Sequence, residues 1–268
     1  MTRIWTPETT DPALDALAHT DRLLIALDFD GTVSPLVDEP MAARAHPAVA
    51  AAIAKLVTLP KTIVAFVSGR SMTDLRVIAE HDNGSLVALS GSHGAQYWFP
   101  GEGEVAIGGE IPDADALERL WQQVRSIVQP FEDVVVEPKA FGFGVHTRRA
   151  TPETEIAAFS AADSFMHAQH PTWRRRAGHH VLEFSARAEG KDTAIEVLRE
   201  KYSPSAILFA GDDVTDEDAM RVLQPSDVGV RVGEGESAAA FRVQNPSQMA
   251  ELLSALAVTR APKGEQTQ

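Results

Sequence analysis

Between Leu23 and Leu36 the chain reads Leu-Leu-Ile-Ala-Leu-Asp-Phe-Asp-Gly-Thr-Val-Ser-Pro-Leu, and this stretch restricts the fold more than any other. Five consecutive apolar residues without alternation fit a strand buried on both faces, as in the interior of a parallel sheet. The run stops at two carboxylates, Asp28 and Asp30. Gly31 permits a tight departure from the strand, and Pro35 rules out an immediate regular helix. The strand tip can hold a cation on the Asp28 carboxylate and the Asp30 backbone carbonyl, which leaves the Asp30 side chain to move a proton. Taken alone, the pentad also fits a polar strand end, because Asp-Gly is a common turn pair.

Further apolar runs repeat this pattern. Thr62–Val67 leads into Ser68-Gly69-Arg70, Leu86–Ser90 into Gly91-Ser92-His93-Gly94, and Ala206–Ala210 into Gly211-Asp212-Asp213. Helical spacing is expected over 12–19, 47–57, from Ser71 or Thr73 to about His81, and from Gly190 to about Lys201. Strands alternating with helices through short connections predict an α/β fold with a Rossmann-like parallel sheet covered by helices. Binding crevices in such sheets lie at the carboxyl ends of the strands, where every polar cluster named here falls.

Near residue 95 the pattern changes. A hairpin is expected about Gly101-Glu102-Gly103, then a helix over 113–128 and short strands at 134–137 and 142–146 separated by Pro138 and Ala140. A second helix opens at Thr151-Pro152, and Val181–Phe184 is a further strand. We take 110–185 as an inserted α+β domain, 1–109 with 186–260 as the core domain, and 261–268 as a flexible tail. Arg260 is included in the polar tail, a closing helix is expected over 248–256, and Gly101, Gly103, Gly108 and Gly109 are candidate hinges.

Composition narrows the chemistry. The 268 residues contain no cysteine, which excludes disulfides, thiolate metal sites and cysteine nucleophiles. A formal net charge of −14 makes nucleic acid or an anionic membrane an unsuitable partner. The first 22 residues carry no signal-peptide pattern, so a cytoplasmic location is expected. A monomer is expected too, since no exposed apolar heptad or edge is apparent. No P-loop or EF-hand pattern occurs. The segment Asp212–Asp218 holds five acids and directly follows an apolar run. It fits a solvated acidic loop or a helix start, or else metal binding by oxygen ligands, which favours Mg²⁺ over zinc.

Asp28-Phe29-Asp30-Gly31-Thr32, Ser68-Gly69-Arg70, Lys191 in Gly190-Lys191-Asp192 and Gly211-Asp212-Asp213-Val214-Thr215-Asp216 occur in the order seen in haloacid-dehalogenase-like phosphotransferases, which the chain resembles. The longer matches narrow the resemblance to the trehalose-6-phosphate phosphatase family. They include Gly91-Ser92-His93-Gly94, Val136-Glu137-Pro138-Lys139, His146-Thr147-Arg148 and Leu182-Glu183-Phe184. The resemblance covers roughly 22–256.

It implies an aspartyl-phosphate mechanism with Asp28 as nucleophile and Asp30 as acid and base. Ser68, Gly69, Arg70 and Lys191 would hold the phosphoryl group. Mg²⁺ would lie on Asp28, Asp212 and the Asp30 carbonyl, with Asp213 and Asp216 bonding its waters or the neighbouring loops. It also implies a cap whose polar residues grip the sugar, here Glu137, Lys139, His146 and Glu183, with His93 a further candidate from the core. Without the resemblance, Glu137 and Lys139 also fit a surface ion pair, and Arg174–Arg176 fits a solvated face. The expected substrate is a small sugar phosphate, trehalose 6-phosphate first. A phosphorylated disaccharide or glycoside of the sucrose 6-phosphate or glucosylglycerol-phosphate type is the alternative, and a non-catalytic phosphosugar-binding protein the third reading. Phe29, Gly142 and Thr147 stand where the family commonly has Tyr, Ser and Tyr.

Overall fold

The structure is a computed structural model that describes residues 2–105, 113–178 and 180–262. In chain order its strands and helices are β1 (Arg3–Ile4), α1 (Pro12–His19), β2 (Leu23–Leu27), α2 (Pro47–Leu56), β3 (Thr62–Val67), α3 (Met72–Ile78), β4 (Val87–Gly91), β5 (Gln96–Phe99) and β6 (Gly103–Val105). They continue with α4 (Ala114–Val128), β7 (Val135–Lys139), β8 (Gly142–His146), α5 (Pro152–Gln169), β9 (Arg174–Gly178) and β10 (Val181–Ser185). The chain closes with α6 (Lys191–Tyr202), β11 (Ala206–Gly211), α7 (Asp216–Arg221), β12 (Val228–Val232), β13 (Phe241–Val243) and α8 (Pro246–Arg260). It divides into two compact units, Met1–Ile107 with Glu189–Gln268, and Gly108–Ala188.

The first unit is built on a nine-stranded sheet ordered β1-β13-β12-β11-β2-β3-β4-β5-β6. All pairings are parallel from β1 across to β4, and only the hairpin β5–β6 runs antiparallel at one edge. β2 lies inside the sheet and all five of its residues are fully buried. Leu23, Ile25 and Leu27 face a core shared with α1, α2, α3 and α8, while Leu24 and Ala26 face a second core with α6 and α7. Helices on both faces explain why the run is apolar at every position. The expected α/β fold is the one observed.

Helix starts follow the local chemistry that the sequence advertises. Asp11, Ser71, Asp113 and Thr151 each accept a backbone N–H of the first turn, and Pro12 and Pro152 stand just inside their helices. Three expectations need correction. The closing helix begins at Pro246, capped by Asn245, and runs to Arg260. Arg260 is therefore no tail residue: its guanidinium donates to Thr62 Oγ1 (2.7 Å) and to the carbonyls of Thr20 (2.7 Å) and Ala18 (3.1 Å). Pro138 does not end a strand but lies within β7, an edge strand, where a missing N–H costs no ladder bond. The short strands β1 and β13 were not expected at all. Gly108, Gly109 and 263–268 lie outside the described residues, and none of the described helices is long and apolar enough to cross a membrane.

The second unit is an antiparallel sheet ordered β7-β8-β10-β9 with α4 and α5 against one face. Leu120, Val124, Val136, Phe143, Val145, Met166, Leu182 and Phe184 form its core. Gly142 belongs here for a steric reason, since a methyl group at that position would overlap the carbonyl oxygen of Phe184. Gly142→Ala is expected to destabilise the protein by at least about 2 kcal/mol through overpacking against backbone that cannot yield. Urea unfolding checks this, and an unchanged midpoint would show that the two strands separate freely.

Candidate active site

β11, β2 and β3 are neighbours, so the residues that follow them emerge side by side: Asp212, Asp28 and Ser68. The Asp28 N–H donates to the Ala210 carbonyl (2.9 Å), which carries the ladder one residue past β2 and fixes the Asp28 backbone. Lys191, the first residue of α6, reaches the same point. Its buried Nζ donates to Asp28 Oδ1 at 2.5 Å and to Asp216 Oδ1 at 2.6 Å. Asp216 begins α7, and its Oδ2 accepts the N–H groups of Asp212 (3.1 Å) and Asp213 (2.9 Å). Asp213 takes part through its backbone, its carbonyl also accepting from Arg231 (2.9 Å). Two glycines permit the close approach: a methyl group at Gly31 would overlap the Asp212 carboxylate, and one at Gly211 the Asp216 carboxylate. Gly31 also has φ +82°, which favours glycine.

Carboxylate oxygens of Asp28, Asp212 and Asp216 lie within 4.8 Å of one another, with one ammonium among them. Burial raises the Asp28 carboxyl well above the usual range; Lys191 opposes this, and Asp216, Asp212 and Asp30 reinforce it. Burial and the Asp216 charge push Asp212 up to about 7. Burial alone would lower the Lys191 ammonium, but Asp216 and Asp28 outweigh it and hold it above the ordinary lysine value. Once its carboxyls are ionised, the cluster carries more negative charge than Lys191 balances. Asp216 spends both oxygens on donors, which makes Asp28 and Asp212 the ligands to which a hard, oxygen-seeking divalent cation fits.

Asp30 turns to a different partner. Arg70 Nε donates to its Oδ2 and Arg70 Nη2 to its Oδ1, both at 2.7 Å. Arg70, expected to hold phosphate, is thus engaged by a carboxylate of its own chain. Ser68 is buried, and its Oγ accepts the Arg70 N–H (3.2 Å). His93 is also buried, with φ 56°, its N–H donating to the Ser68 carbonyl (2.9 Å) and its ring packed so closely on Gly69 that a methyl group there would strike it. His93 therefore supports the Ser68–Gly69 loop, and this buried position does not favour the sugar contact considered above.

The other sugar-binding candidates share one face of the second unit's sheet. Strand register puts Glu137, Gly144, Glu183 and Arg176 in one row, with Lys139 in the next row and His146 in the one before. Lys139 donates to Glu183, and the His146 ring meets Glu137 at 2.6 Å. The bond from His146 holds the Glu137 carboxyl below its usual value despite burial. Burial would lower the Lys139 ammonium, but Glu183 and Glu137 raise it. Arg174–Arg176 is not a uniform solvated face. Arg175 makes a bidentate pair with Asp163 of α5, Arg174 donates to the Ala188 carbonyl, and Arg176 is buried opposite Glu183. Alternation along a strand was the signal that could have separated Arg175 from Arg174 and Arg176, which share a face.

The family profile described as Trehalose-phosphatase matches residues 26–251. The chain belongs to the trehalose-phosphatase family. It is 31% identical over 264 residues to a trehalose-phosphate phosphatase of Mycobacterium tuberculosis, covering 91% of this chain and 65% of the relative. The C-terminal domain of a Candida albicans trehalose-6-phosphate phosphatase superposes with a TM-score of 0.79 at 20% identity, covering 96% of this chain and 98% of that one. A haloacid-dehalogenase-like hydrolase from B. subtilis gives 0.59 at 15% identity, covering 86% and 98%. At these identities the structural likenesses establish the fold. The chain spans between 20% and 65% of the length of the first curated relatives it matches.

In this trehalose-phosphatase family member the three unusual residues occupy packed positions. Phe29 is fully buried with its ring edge-on to Phe66 at 5.4 Å, Gly142 abuts Phe184, and the buried Thr147 hydroxyl bonds Glu155. The acid cluster makes a pH prediction. The Asp212 carboxyl titrates at about 7 in the folded protein against 3.8 when unperturbed. The folded state therefore binds more protons between these values, so cation-free stability should fall as pH rises through that window and level off above it. A divalent cation should restore more stability at the upper end, where it does not compete with protons. Thermal unfolding across the window, with chelator or with excess cation, checks this. A metal-independent Tm at the upper end would show that the cluster is balanced without a cation.

Proposed function

We propose that this chain is a phosphatase that hydrolyses trehalose 6-phosphate to trehalose and phosphate through an aspartyl-phosphate on Asp28. The observation that carries the reading is the family match over 26–251 together with a buried Asp28–Lys191–Asp216 cluster beside Asp212 at the ends of adjacent strands. Mg²⁺ is the proposed cofactor, because the donors are all oxygen, and Asp28, Asp212 and the Asp30 carbonyl would hold it. When bound, it offsets the negative charge that gathers as phosphate approaches a carboxylate.

This chain's own residues do the rest. Asp28 attacks phosphorus, displacing the sugar oxygen, and Asp30 gives that oxygen a proton. Asp30 then takes a proton from water, which attacks the aspartyl-phosphate and releases phosphate with Asp28 restored. Lys191, held in place by Asp216, keeps positive charge beside Asp28 at neutral pH. The Ser68 hydroxyl and the Gly69 N–H bind phosphoryl oxygens in this reading. The polar sheet face of the second unit supplies the sugar contacts through Glu137, Lys139, His146 and Glu183. Phe29 and Thr147 are buried, whereas Gly142 lies on this face in register with Lys139, so a substrate panel and not the departures decides the sugar.

Phosphate release from a panel of trehalose 6-phosphate, sucrose 6-phosphate, a glucosylglycerol phosphate and glucose 6-phosphate tests the substrate. Trehalose 6-phosphate is expected to give the highest kcat/KM, and equal rates on glucose 6-phosphate would overturn the assignment. Asp28→Asn should lower kcat by at least about 10³-fold while the fold persists, since it keeps the shape and removes the attacking charge. Lys139→Ala should cost trehalose 6-phosphate roughly 1.5 to 3 kcal/mol, or about one to two decades in kcat/KM. p-Nitrophenyl phosphate, which has no sugar, should lose little. Equal losses on both esters would mean that Lys139 holds the sheet together and not the substrate.

A further inference from the structure

The Arg70–Asp30 pair has a geometry that phosphate binding does not account for. Two N–H groups of one guanidinium meet the two oxygens of one carboxylate at equal distances of 2.7 Å, the planar fork-to-fork arrangement that fixes direction as well as distance. Both backbones are clamped. Arg70 donates its N–H to Ser68 Oγ (3.2 Å) and accepts the Ser92 N–H on its carbonyl (2.6 Å). On the other side, the Gly31 N–H donates to the Ser34 carbonyl (2.8 Å), and Asp30 bridges Ser34. Neither partner is remote from water: their side chains are 19% and 29% exposed. Desolvation therefore does not hold the pair together, and its value lies in orientation.

Asp30 has a specific need for orientation. Its neighbour Asp28 points into the buried cluster with Lys191, where two further carboxylates, Asp212 and Asp216, gather about the same positive charge. An Asp30 side chain left to rotate would be drawn toward that charge, away from the departing sugar oxygen. From this we infer that Arg70 is a positioning residue for Asp30: its guanidinium holds the Asp30 carboxylate outside the Lys191 cluster and aimed at the leaving group. The inference rests on the reading of Asp30 as the residue that moves the leaving-group proton. It assigns Arg70 to the sugar oxygen's departure and not to the phosphoryl group.

Leaving-group chemistry separates the two assignments. An alkoxide from a sugar phosphate needs a proton as it departs, whereas p-nitrophenolate leaves without one. Steady-state kinetics of the wild type, Arg70→Ala, Arg70→Lys, Asp30→Asn and the double variant would be measured in Mg²⁺ on trehalose 6-phosphate, glucose 6-phosphate and p-nitrophenyl phosphate. Arg70→Ala is expected to lower kcat/KM, which reports the steps up to the aspartyl-phosphate and excludes the water attack common to all esters, by about 10- to 100-fold on the alkyl esters and by less than about threefold on the aryl ester. Arg70→Lys should fall between, because one ammonium cannot engage both oxygens. The double variant should be no slower than Asp30→Asn, since the two side chains act as a unit.

The inference is overturned if Arg70→Ala raises KM and the inhibition constant of inorganic phosphate equally across all three esters, the mark of a phosphate ligand. It is overturned as well if the double variant loses the product of the two single losses. Partial misfolding cannot imitate the expected result, because it would scale alkyl and aryl turnover alike. Asp30→Asn is the control for the underlying reading. If it fails to separate alkyl from aryl esters in kcat/KM, the leaving-group role of Asp30 falls and the inference with it. If it separates them and Arg70→Ala does not, only the inference falls. The glucose 6-phosphate arm keeps the comparison decisive even if trehalose 6-phosphate is not the preferred substrate.

Discussion

The buried ammonium of Lys191 is the interaction on which the acidic cluster of the first unit depends. It bridges Asp28 at the end of β2 and Asp216 at the start of α7, so one side chain ties together two segments nearly two hundred residues apart. Taking charges out of water is costly, and such a bridge is seldom a net source of stability compared with apolar packing. Its value is specificity of arrangement. Removing one partner would leave carboxylates buried without their cation, which the fold tolerates far less than it tolerates the intact set. Asp216 extends the effect, because its second oxygen holds the amides of Asp212 and Asp213 and so shapes the loop that presents Asp212.

Around that bridge the site is assembled by close approach more than by long side chains. Gly31 and Gly211 are positions where any methyl group would overlap a carboxylate of the cluster, and Gly69 is pressed by the ring of His93. The parallel sheet supplies the rest. Because β11, β2 and β3 are neighbours in register, their ends deliver two carboxylates and a hydroxyl to one place without any of these residues being close in sequence. The same register explains the division of work between Asp28 and Asp30. β2 ends at Leu27, the chain leaves the ladder after Asp28, and the two carboxylates find separate cations, Lys191 and Arg70.

The second unit solves a different problem with a simpler device. Strand alternation sends Val136, Val145, Leu182 and Phe184 to the helices and leaves Glu137, Lys139, Glu183, His146 and Arg176 on the opposite face. Gly144 lies between Glu137 and Glu183 on that face, and the side chains of Lys139 and His146 pack over it. These side chains already satisfy one another, with Lys139 between two carboxylates and His146 on Glu137. A polyhydroxylated ligand would exchange such bonds for its own, which suits discrimination by hydrogen-bond pattern more than by bulk.

Much of this was legible in the sequence, and the limits of that reading have physical reasons. A uniformly apolar five-residue run fits a strand covered on both sides, and its repetition between helical segments pointed to the doubly covered parallel sheet. Caps at Asp11, Ser71, Asp113 and Thr151 marked helix starts because capping is a contact between residues two or three apart. The polar ends of the strands named Asp28, Ser68 and Asp212 as candidates, and the family resemblance added Lys191. What the sequence could not determine was pairing across long separations. That Asp216 partners Lys191, that Arg70 is engaged by Asp30, that Arg176 opposes Glu183 and that Arg260 ties α8 to the sheet all depend on which elements the fold brings together. So do β1 and β13, too short to show periodicity, and Pro138, whose place in a strand depends on that strand lying at an edge. Local chemistry sets which residues can form an element, and only tertiary register decides which charges meet, because that choice is made by backbone geometry spanning the whole sheet.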